Sequence, residues 1–386
     1  MKMLVVGAGV FGSAAAIELR RRGHDVRLLD QGPLPGPFAD ASSTDSSRAI
    51  RMDYGDDAFY VELAAQAMES WRGPWREWRG RTLYHEAGFL FASAAPFETV
   101  RGFEAACYET LTRCERVPVR LTAAAVAARF PLWRHAPWVD GYFSAQAGYA
   151  DAAAVVAMLH EQARAAGVRL EGGRRVVALA AGGVRDGDGQ CLAADRVLIA
   201  GGAWTTQLLP ELQGRVRATA QTVLYLRPGH PERFHHDRAP TWAWDIANQG
   251  WYGFPATPAG LVKVAHHGAG REQPADDRQA DPTLLDRARR MLRIVLPDLA
   301  EAPLHEQKVC FYCDSVDGDF WIGPVPGRAG VVVATGGSGH GFKFAPVLGD
   351  LIANAVLGVR DARLSRFAWR EPDRAAREAA RAKGGA

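Results

Sequence analysis

The feature that most constrains the fold is a glycine motif near the start of the chain. Residues 3–6 are a short apolar run, Gly7-x-Gly9-x-x-Gly12 follows, and a helical pattern then covers residues 13–22. A run that is apolar throughout is typical of a parallel strand buried on both faces. A strand, a glycine turn and a helix in this order predict the first unit of a dinucleotide-binding α/β domain.

An acidic residue strengthens this interpretation. Residues 25–30 are predicted to be the second strand, and Asp30 at its end lies close to the spacing, about 20 residues after the motif, that places a carboxylate on a ribose hydroxyl. Gly7 would permit the tight turn, Gly9 the approach of a pyrophosphate, and Gly12 the packing of helix on strand. An acidic side chain here favours NAD or FAD over a cofactor with a 2′-phosphate. A glycine turn without a ligand is the alternative.

Two further units of strand and glycine turn lie in the middle and near the end of the chain. One covers residues 195–204, after a predicted helix at 152–166 that Asp151 would cap, and the other covers residues 331–343, before a predicted helix at 345–357. An NAD enzyme rarely needs this last turn. Backbone N–H groups at a helix N-terminus can stabilise the negative charge of a reduced flavin, so the third unit favours FAD.

The order of these units predicts the domain organisation. We expect an α/β fold in which a Rossmann-like FAD-binding domain, residues 1–82, 146–215 and 318–372, is interleaved with a β-rich substrate domain, residues 83–145 and 216–317. Residues 373–386 are rich in Arg and Ala and are predicted to fray. A helix is predicted over residues 59–78. Arg48 and Arg51 are three apart and would share one face of a helical turn.

Composition excludes several classes of protein. A formal charge of +3 argues against a nucleic-acid binder, because such proteins carry a concentrated basic surface. No apolar run reaches the roughly 18 residues of a membrane span. Five irregularly spaced cysteines are too few for a disulfide framework, so we expect a reducing, cytoplasmic compartment.

Five motifs, in the same order over residues 1–357, resemble the monomeric sarcosine oxidase and pipecolate oxidase group of FAD-dependent amine oxidases, in the D-amino-acid oxidase-like superfamily. They are the glycine motif at 7–12 and the segments 47–55, 261–268, 310–320 and 337–343. The resemblance implies an FAD enzyme that oxidises secondary amino acids with O2 and releases H2O2. It also implies a monomer whose partners are a small amino acid and O2.

The resemblance assigns Cys310 as the covalent attachment site of FAD. A redox or metal-binding pair with Cys313 is the alternative reading of Cys-x-x-Cys. A structural zinc site needs about four ligands, and no second pair has suitable spacing, so no metal is expected. Cys313 itself departs from the sarcosine oxidases.

Lys263 lies in an otherwise apolar, alternating run, where an ammonium is costly unless it has a partner or a task. The resemblance gives it the task of activating O2, with Arg48 and His267 as further catalytic residues. An exposed lysine on an edge strand is the alternative. The resemblance also implies that Arg51 and Lys343 hold the substrate carboxylate, and bidentate arginine pairing would fix its orientation. Tyr252, Tyr312 and His340 are predicted to line the same cavity.

The predicted cofactor-binding residues are Gly7, Gly9, Val10, Phe11, Gly12, Asp30, Gln31, Ser42, Ser43, Arg48, Val176, Gly201, Trp204, Cys310, Gly337, Gly339, His340, Gly341 and Lys343. Three other functions stay open. Asp53 and Cys313 differ from plain sarcosine oxidases and suggest an oxidase of fructosyl or larger N-alkyl amino acids. A flavin dehydrogenase with another acceptor is the second, which Lys263 argues against, and a non-catalytic dinucleotide sensor is the third.

Overall fold

The computed structural model describes residues 1–372, so the tail predicted to fray, 373–386, lies outside the described residues. The strands are β1 Lys2–Val6, β2 Asp25–Leu29, β3 Arg48–Ile50, β4 Glu77–Trp78, β5 Arg81–Thr82, β6 Tyr84–His85, β7 Phe89–Ser93, β8 Val119–Arg120, β9 Asp140–Ser144, β10 Gly148–Ala150, β11 Arg169–Glu171, β12 Val176–Ala180, β13 Gly183–Asp186, β14 Cys191–Ala193, β15 Arg196–Ile199, β16 Val216–Leu226, β17 Thr241–Trp244, β18 Trp251–Ala256, β19 Val262–His266, β20 Arg271–Glu272, β21 Leu304–Ser315, β22 Trp321–Pro324 and β23 Val331–Thr335. The helices are α1 Val10–Arg21, α2 Ala58–Arg72, α3 Phe103–Arg113, α4 Ala123–Arg129, α5 Ala152–Ala165, α6 Thr205–Leu208, α7 Leu284–Val295, α8 Pro297–Ala300, α9 Ala345–Leu357 and α10 Leu364–Phe367.

A six-stranded sheet brings the three predicted glycine-turn units together. Its order is β11-β2-β1-β15-β23-β22, and every pair is parallel except β22 with β23. The strands β1, β15 and β23 are therefore adjacent, although they are far apart in sequence. Because the carboxyl ends of parallel strands lie at one edge of a sheet, their glycine turns meet there.

Both faces of this sheet are buried, which explains the continuous apolar runs. Val5 and Leu28 pack in one core with α1, α5 and α9, whereas Leu4 and Val6 pack in another with the small antiparallel sheet β12-β13-β14. Helix α1 lies against α5 and α9. The Asp151 side chain accepts a hydrogen bond from Ala154 N at 3.0 Å and caps α5, as predicted.

A nine-stranded mixed sheet forms the other large layer. Its order is β20-β16-β19-β18-β17-β7-β9-β8, and β21 pairs with β16 along most of its length. Val262 and Val264 of β19 pack on one face in a core shared with α7. The side chain of Lys263 therefore points to the opposite face, because successive residues of a strand alternate.

Two local predictions were wrong. Helix α2 ends at Arg72 and not at residue 78, because Gly73 and Pro74 follow and proline cannot continue a helix. Arg48 and Arg51 do not share a helical face, since Arg48–Ile50 is a strand whose backbone pairs with β10. Within residues 1–372, no helix combines the length and the apolar character needed to cross a bilayer.

Candidate active site

The glycine turns line an elongated cavity, which we call the first cavity. Its volume, including its open mouth, is about 1150 Å³. The predicted residues that line it are Gly7, Gly9, Val10, Phe11, Asp30, Gln31, Ser42, Ser43, Arg48, Val176, Gly201, Trp204, Tyr312, Gly337, Gly339 and Gly341. Residues from all three turns therefore surround one space.

The backbone approaches itself closely at two of these glycines. Gly7 has a φ of +102°, and a Cβ there would overlap the Ala200 carbonyl oxygen. A Cβ on Gly12 would overlap the carbonyl oxygen of Gly7. Gly12 does not line the first cavity. Its place in the motif is explained by the packing of α1 on the turn, which is the role its position in the motif predicts.

Polar groups at the first cavity fit a dinucleotide. The Asp30 carboxylate accepts hydrogen bonds of 2.7 Å from Ala8 N and from Gly32 N, which fixes it at the end of β2. Ser43 Oγ accepts a hydrogen bond from Val10 N at 3.1 Å. Ser42 Oγ is buried and has no hydrogen-bond partner among residues 1–372. A buried hydroxyl in this state is expected to bind a ligand atom or water.

A second cavity of about 810 Å³ adjoins the first. Four residues line both, namely Arg48, Tyr312, Gly339 and Phe342. All predicted catalytic and substrate-binding residues line the second cavity, namely Arg48, Arg51, Tyr252, Lys263, His267, Tyr312, His340 and Lys343. Cys310 lines it as well.

Arg51 and Lys343 approach each other around Tyr54. Lys343 is buried, and its Nζ donates hydrogen bonds to Tyr54 Oη at 2.9 Å and to the His340 carbonyl oxygen at 3.1 Å. The Arg51 guanidinium lies 5.7 Å from the centre of the Tyr54 ring and donates to the Asp53 carbonyl oxygen. Two cations therefore face one cavity, an arrangement suited to an anionic group.

The predicted aromatic residues form two groups at this cavity. His340 is buried, and its Nδ1 lies 3.1 Å from Tyr54 Oη while its Nε2 lies 2.9 Å from the Gly318 carbonyl oxygen. The rings of Tyr252 and Tyr312 both lie about 6 Å from that of His267. His340 and Lys343 therefore both contact the Tyr54 hydroxyl, whereas His267 contacts Tyr252 and Tyr312.

Lys263 is an ion-paired residue of the cavity wall. Its side chain is 3% exposed, and its Nζ lies 2.5 Å from Asp45 Oδ2 and 3.0 Å from the Ser47 carbonyl oxygen. The ammonium also lies 4.9 Å from the centre of the Phe254 ring. Burial lowers the pKa of Lys263, and Arg48 lowers it further, whereas Asp45 raises it. The alternative of an exposed lysine on an edge strand is therefore wrong.

Arg48 connects this ion pair to Cys310. Its guanidinium donates to Asp45 Oδ2 at 2.8 Å and to Cys310 Sγ at 3.1 Å. Burial alone would raise the pKa of the Asp45 carboxyl, but Lys263 and Arg48 hold it well below its usual range. The group is thus a carboxylate between two cations.

Cys310 and Cys313 occupy different surroundings, and both are free thiols. They are three residues apart on β21, about 10 Å in an extended strand, which exceeds the reach of a disulfide. Cys313 Sγ lies 3.0 Å from Thr335 Oγ1, and burial raises the pKa of its thiol to about 11. The redox-pair reading of Cys-x-x-Cys is therefore wrong for this geometry.

Several residues of the site were missed by the sequence analysis. Asp45 gave no signal, because a single carboxylate in a polar loop is common. Ser47 lines the second cavity, and its buried Oγ has no partner among the described residues. Arg174 and Arg175 line the first cavity and could have been found as an Arg-Arg pair between β11 and β12.

Two other groups lie outside the cavities. Asp53 is buried, accepts a hydrogen bond from Tyr142 Oη at 2.7 Å, and has a pKa raised by burial. It lines neither cavity. At the surface, ligand atoms of His235, His236 and Asp237 lie within 4.8 Å of one another. These three residues line neither cavity, so the group is not part of the site described here.

A comparison with family models decides which group of proteins this is. The model described as FAD dependent oxidoreductase (DAO) matches residues 2–355. The chain belongs to this family. It is therefore an FAD-dependent oxidoreductase, and the glycine-lined first cavity, with its unpaired Ser42 hydroxyl, fits the family's cofactor.

Curated relatives and solved structures agree with this assignment. The chain is 28% identical over 382 residues to N-methyl-L-tryptophan oxidase of Salmonella typhi, with 95% of this chain and 98% of that protein covered. It is 28% identical over 417 residues to L-saccharopine oxidase of Schizosaccharomyces pombe, with 97% and 94% covered. Fructosyl peptide oxidase from E. terrenum has a TM-score of 0.84 at 22% identity, with 99% of this chain and 95% of that chain covered. This structural likeness confirms the predicted α/β fold class.

Proposed function

We propose that the chain is an FAD-dependent oxidase of secondary amino acids that uses O2 as electron acceptor and yields an imine and H2O2. The observation that carries the proposal is that Arg51, Lys343 and Lys263 line one cavity, which adjoins the glycine-lined cavity at Arg48 and Tyr312. Oxidation of the carbon–nitrogen bond and reduction of O2 are the chemistry that FAD supplies when bound.

Arg51 and Lys343 would bind the substrate carboxylate. Both cations face the second cavity, and Lys343 is fixed by Tyr54 and His340. A carboxylate held by two groups has a fixed orientation, so the adjacent amine would be directed to the junction of the two cavities. The amine must be unprotonated to be oxidised, and the two cations disfavour a protonated amine nearby.

Lys263 would serve the oxygen reaction. A buried ammonium stabilises negative charge that forms on O2 as it is reduced, and it needs no rearrangement to do so. This supports O2 over another electron acceptor. A non-catalytic sensor is disfavoured, because binding alone gives no reason to place Lys263, Arg51 and Lys343 at one cavity.

The remaining walls of the second cavity favour an apolar side chain on the substrate. The apolar lining residues are Ala49, Phe89, Phe91, Val223, Ala243, Ile246, Phe254 and Phe342. Among the described residues, no acidic side chain lines this cavity, and the uncharged polar side chains include Ser47 and Gln221. A sugar would leave several hydroxyls against apolar walls, at a cost for each unpaired group. We therefore favour N-alkyl amino acids with apolar side chains over fructosyl amino acids.

We further propose that Cys310 carries FAD covalently. Its sulfur lines the second cavity beside the guanidinium of Arg48, which lines both cavities, and a neighbouring cation is typical of reactive cysteines. Cys313 is a poor candidate, because burial keeps its thiol protonated. We also propose the domain boundaries given above and a cytoplasmic monomer. Free thiols at all five cysteines support a reducing compartment.

The test of the activity is H2O2 release by the purified holoenzyme from a matched panel. We expect the fastest release with an N-methyl amino acid that has an aromatic or aliphatic side chain. L-pipecolate, L-saccharopine and a fructosyl amino acid should react more slowly. Oxidation of the panel with an artificial acceptor but without H2O2 would instead identify a dehydrogenase, and no oxidation at all would contradict the proposal.

The test of the covalent link is acid precipitation. FAD should remain with wild-type polypeptide and with the Cys313→Ser variant, and should be released from Cys310→Ser. Release from the wild type would contradict the link and leave noncovalent FAD binding intact.

A further inference from the structure

A buried carboxylate, Asp45, lies between two cations at the wall of the second cavity. Its side chain is 2% exposed, and Oδ2 lies 2.5 Å from Lys263 Nζ and 2.8 Å from Arg48 Nη1. The Tyr225 hydroxyl donates to Oδ1, and so does Ser46 N, at 2.8 Å. These donors share one carboxylate, so its removal would leave the buried Lys263 and the largely buried Arg48 without their counter-ion.

The backbone gives a second, independent observation. Asp45 has a φ of 153°, a region that favours glycine and strains other residues. A side chain kept at such a position is expected to have a task, because glycine would fit without strain. The carbonyl oxygen of Asp45 accepts a hydrogen bond from Ala153 N at the start of α5, which fixes this backbone.

Lys263 faces few groups that would keep it protonated. Around it, β16 contributes Tyr225, which is its register partner, and the segment before β3 contributes Asp45. The other charged or titratable groups that share the cavity with it are Arg48, Arg51, Tyr252, His267, Cys310, Tyr312, His340 and Lys343. Three of these, Arg48, Arg51 and Lys343, are cations and would not keep Lys263 protonated. Within residues 1–372, the acidic side chain in contact with Lys263 is Asp45.

We propose that Asp45 is a positioning residue for the oxygen reaction, which holds Lys263 as an ammonium ion directed at the second cavity. This inference rests on the proposed function, because it presumes that Lys263 serves O2 reduction. Without the carboxylate, burial and the neighbouring Arg48 would favour the neutral amine, which offers O2 no positive charge. Asp45 lines neither cavity, and it acts on the oxygen reaction through Lys263, while its other ion pair is with Arg48 at the junction of the cavities.

The experiment is stopped-flow reoxidation of the substrate-reduced holoenzyme by O2 as a function of pH. In the wild type, the rate constant should fall as the pH rises through the pKa of Lys263. In Asp45→Asn, this inflection should move about 1 to 3 pH units lower, the usual effect of losing an opposite charge at contact distance. Reduction of the enzyme by substrate should change much less.

Two further variants make the result specific. Tyr225→Phe removes a hydrogen bond to Asp45 but keeps every charge, so its inflection should stay close to that of the wild type. Lys263→Met should be slow at every pH and show no such inflection. If Lys263→Met reoxidises like the wild type, the oxygen role in the proposed function is wrong. If Lys263→Met is slow but Asp45→Asn shows the wild-type inflection or reacts faster, only the inference about Asp45 is wrong.

A readout other than catalysis tests the same coupling. In the purified holoenzyme, Asp45→Asn should lower the thermal unfolding midpoint, and adding Lys263→Met should restore part of the loss, because the buried amine left without its counter-ion is removed. Strictly additive losses would contradict the coupling. If Asp45→Asn alone does not fold, recovery of folding in the double variant supports it, and failure to recover contradicts it. Asp45→Gly, which suits the φ of this position, should shift the inflection of reoxidation as Asp45→Asn does.

Discussion

The two cavities are built from different parts of the chain. The first is lined largely by backbone at glycine turns that follow β1, β15 and β23, whereas the second is lined mainly by side chains from β3, β7, β16, β17, β18, β19 and β21 and from residues 339–343. A backbone cavity depends on the absence of Cβ atoms at a few positions. A side-chain cavity depends on the charge and shape of residues that only the topology brings together. The first should therefore be sensitive to added volume and the second to altered charge.

The largest effect is expected at Gly7. A side chain there would overlap the Ala200 carbonyl oxygen, and φ is +102°, so Gly7→Val should abolish FAD binding and lower stability. Gly201→Ala is the matched control, because it lines the same cavity and a Cβ there would lie 3.6 Å from its nearest neighbours, an ordinary contact. The ratio of flavin to protein absorbance after purification measures both. Full FAD content in Gly7→Val would show that the backbone account of the first cavity is wrong.

The second cavity should respond to the loss of a charge without losing FAD. Arg51→Met should cost about 2–5 kcal/mol in substrate binding, roughly 30-fold to several thousand-fold, because Lys343 remains buried without its partner in holding the carboxylate. The exposed Arg185→Met on β13 should have little effect. Steady-state kcat/KM and carboxylate inhibitor binding measure the change. Equal effects of the two substitutions would remove Arg51 from substrate binding.

The same contrast explains how much the sequence could predict. Gly7, Gly9, Asp30 and the later glycine turns are local patterns of strand, turn and helix, so the fold class and the glycine turns of the first cavity follow from spacing. What the structure adds is the order of β1, β15 and β23 in the sheet, which brings their glycine turns together.

The second cavity could be predicted only through the resemblance, and then incompletely. Lys263 was recognisable as a costly lysine in an apolar strand, but its partner Asp45 lies 218 positions away in a loop without a pattern. Arg48 and Arg51 were assigned to a helical turn, because a spacing of three suggests one, whereas pairing with β10 makes the segment a strand. Long-range pairing is not encoded in local periodicity.

A smaller effect is expected behind the wall of the second cavity, at Glu104. This buried residue of α3 accepts a hydrogen bond from Ile246 N at 2.8 Å, and burial raises the pKa of its carboxyl from 4.5 to about 7. The native state is therefore stabilised relative to the unfolded state when Glu104 is protonated. This contribution to stability is present below pH 4.5 and is lost as the pH rises to about 7. The loss is on the order of 3 kcal/mol.

Denaturant unfolding of wild type and Glu104→Gln over this pH range measures the effect. As the pH rises, the unfolding free energy of the wild type should fall relative to that of Glu104→Gln. FAD content should not follow that change, because the first cavity does not depend on this group. A pH-independent difference would show that the pKa of Glu104 is not raised in the native protein.

The central claim is that an amino acid carboxylate is bound at Arg51 and Lys343 while its amine lies at the junction of the two cavities. The most direct measurement is anaerobic bleaching of the flavin absorbance by a matched pair, N-methyl-L-phenylalanine and N-methyl-2-phenylethylamine, which differ only in the carboxylate. We predict rapid bleaching by the amino acid, and bleaching at least about thirtyfold slower by the amine at equal concentration, from the 2–5 kcal/mol expected for the carboxylate contact. Equally fast bleaching by both compounds would contradict the carboxylate site and the substrate class that rests on it.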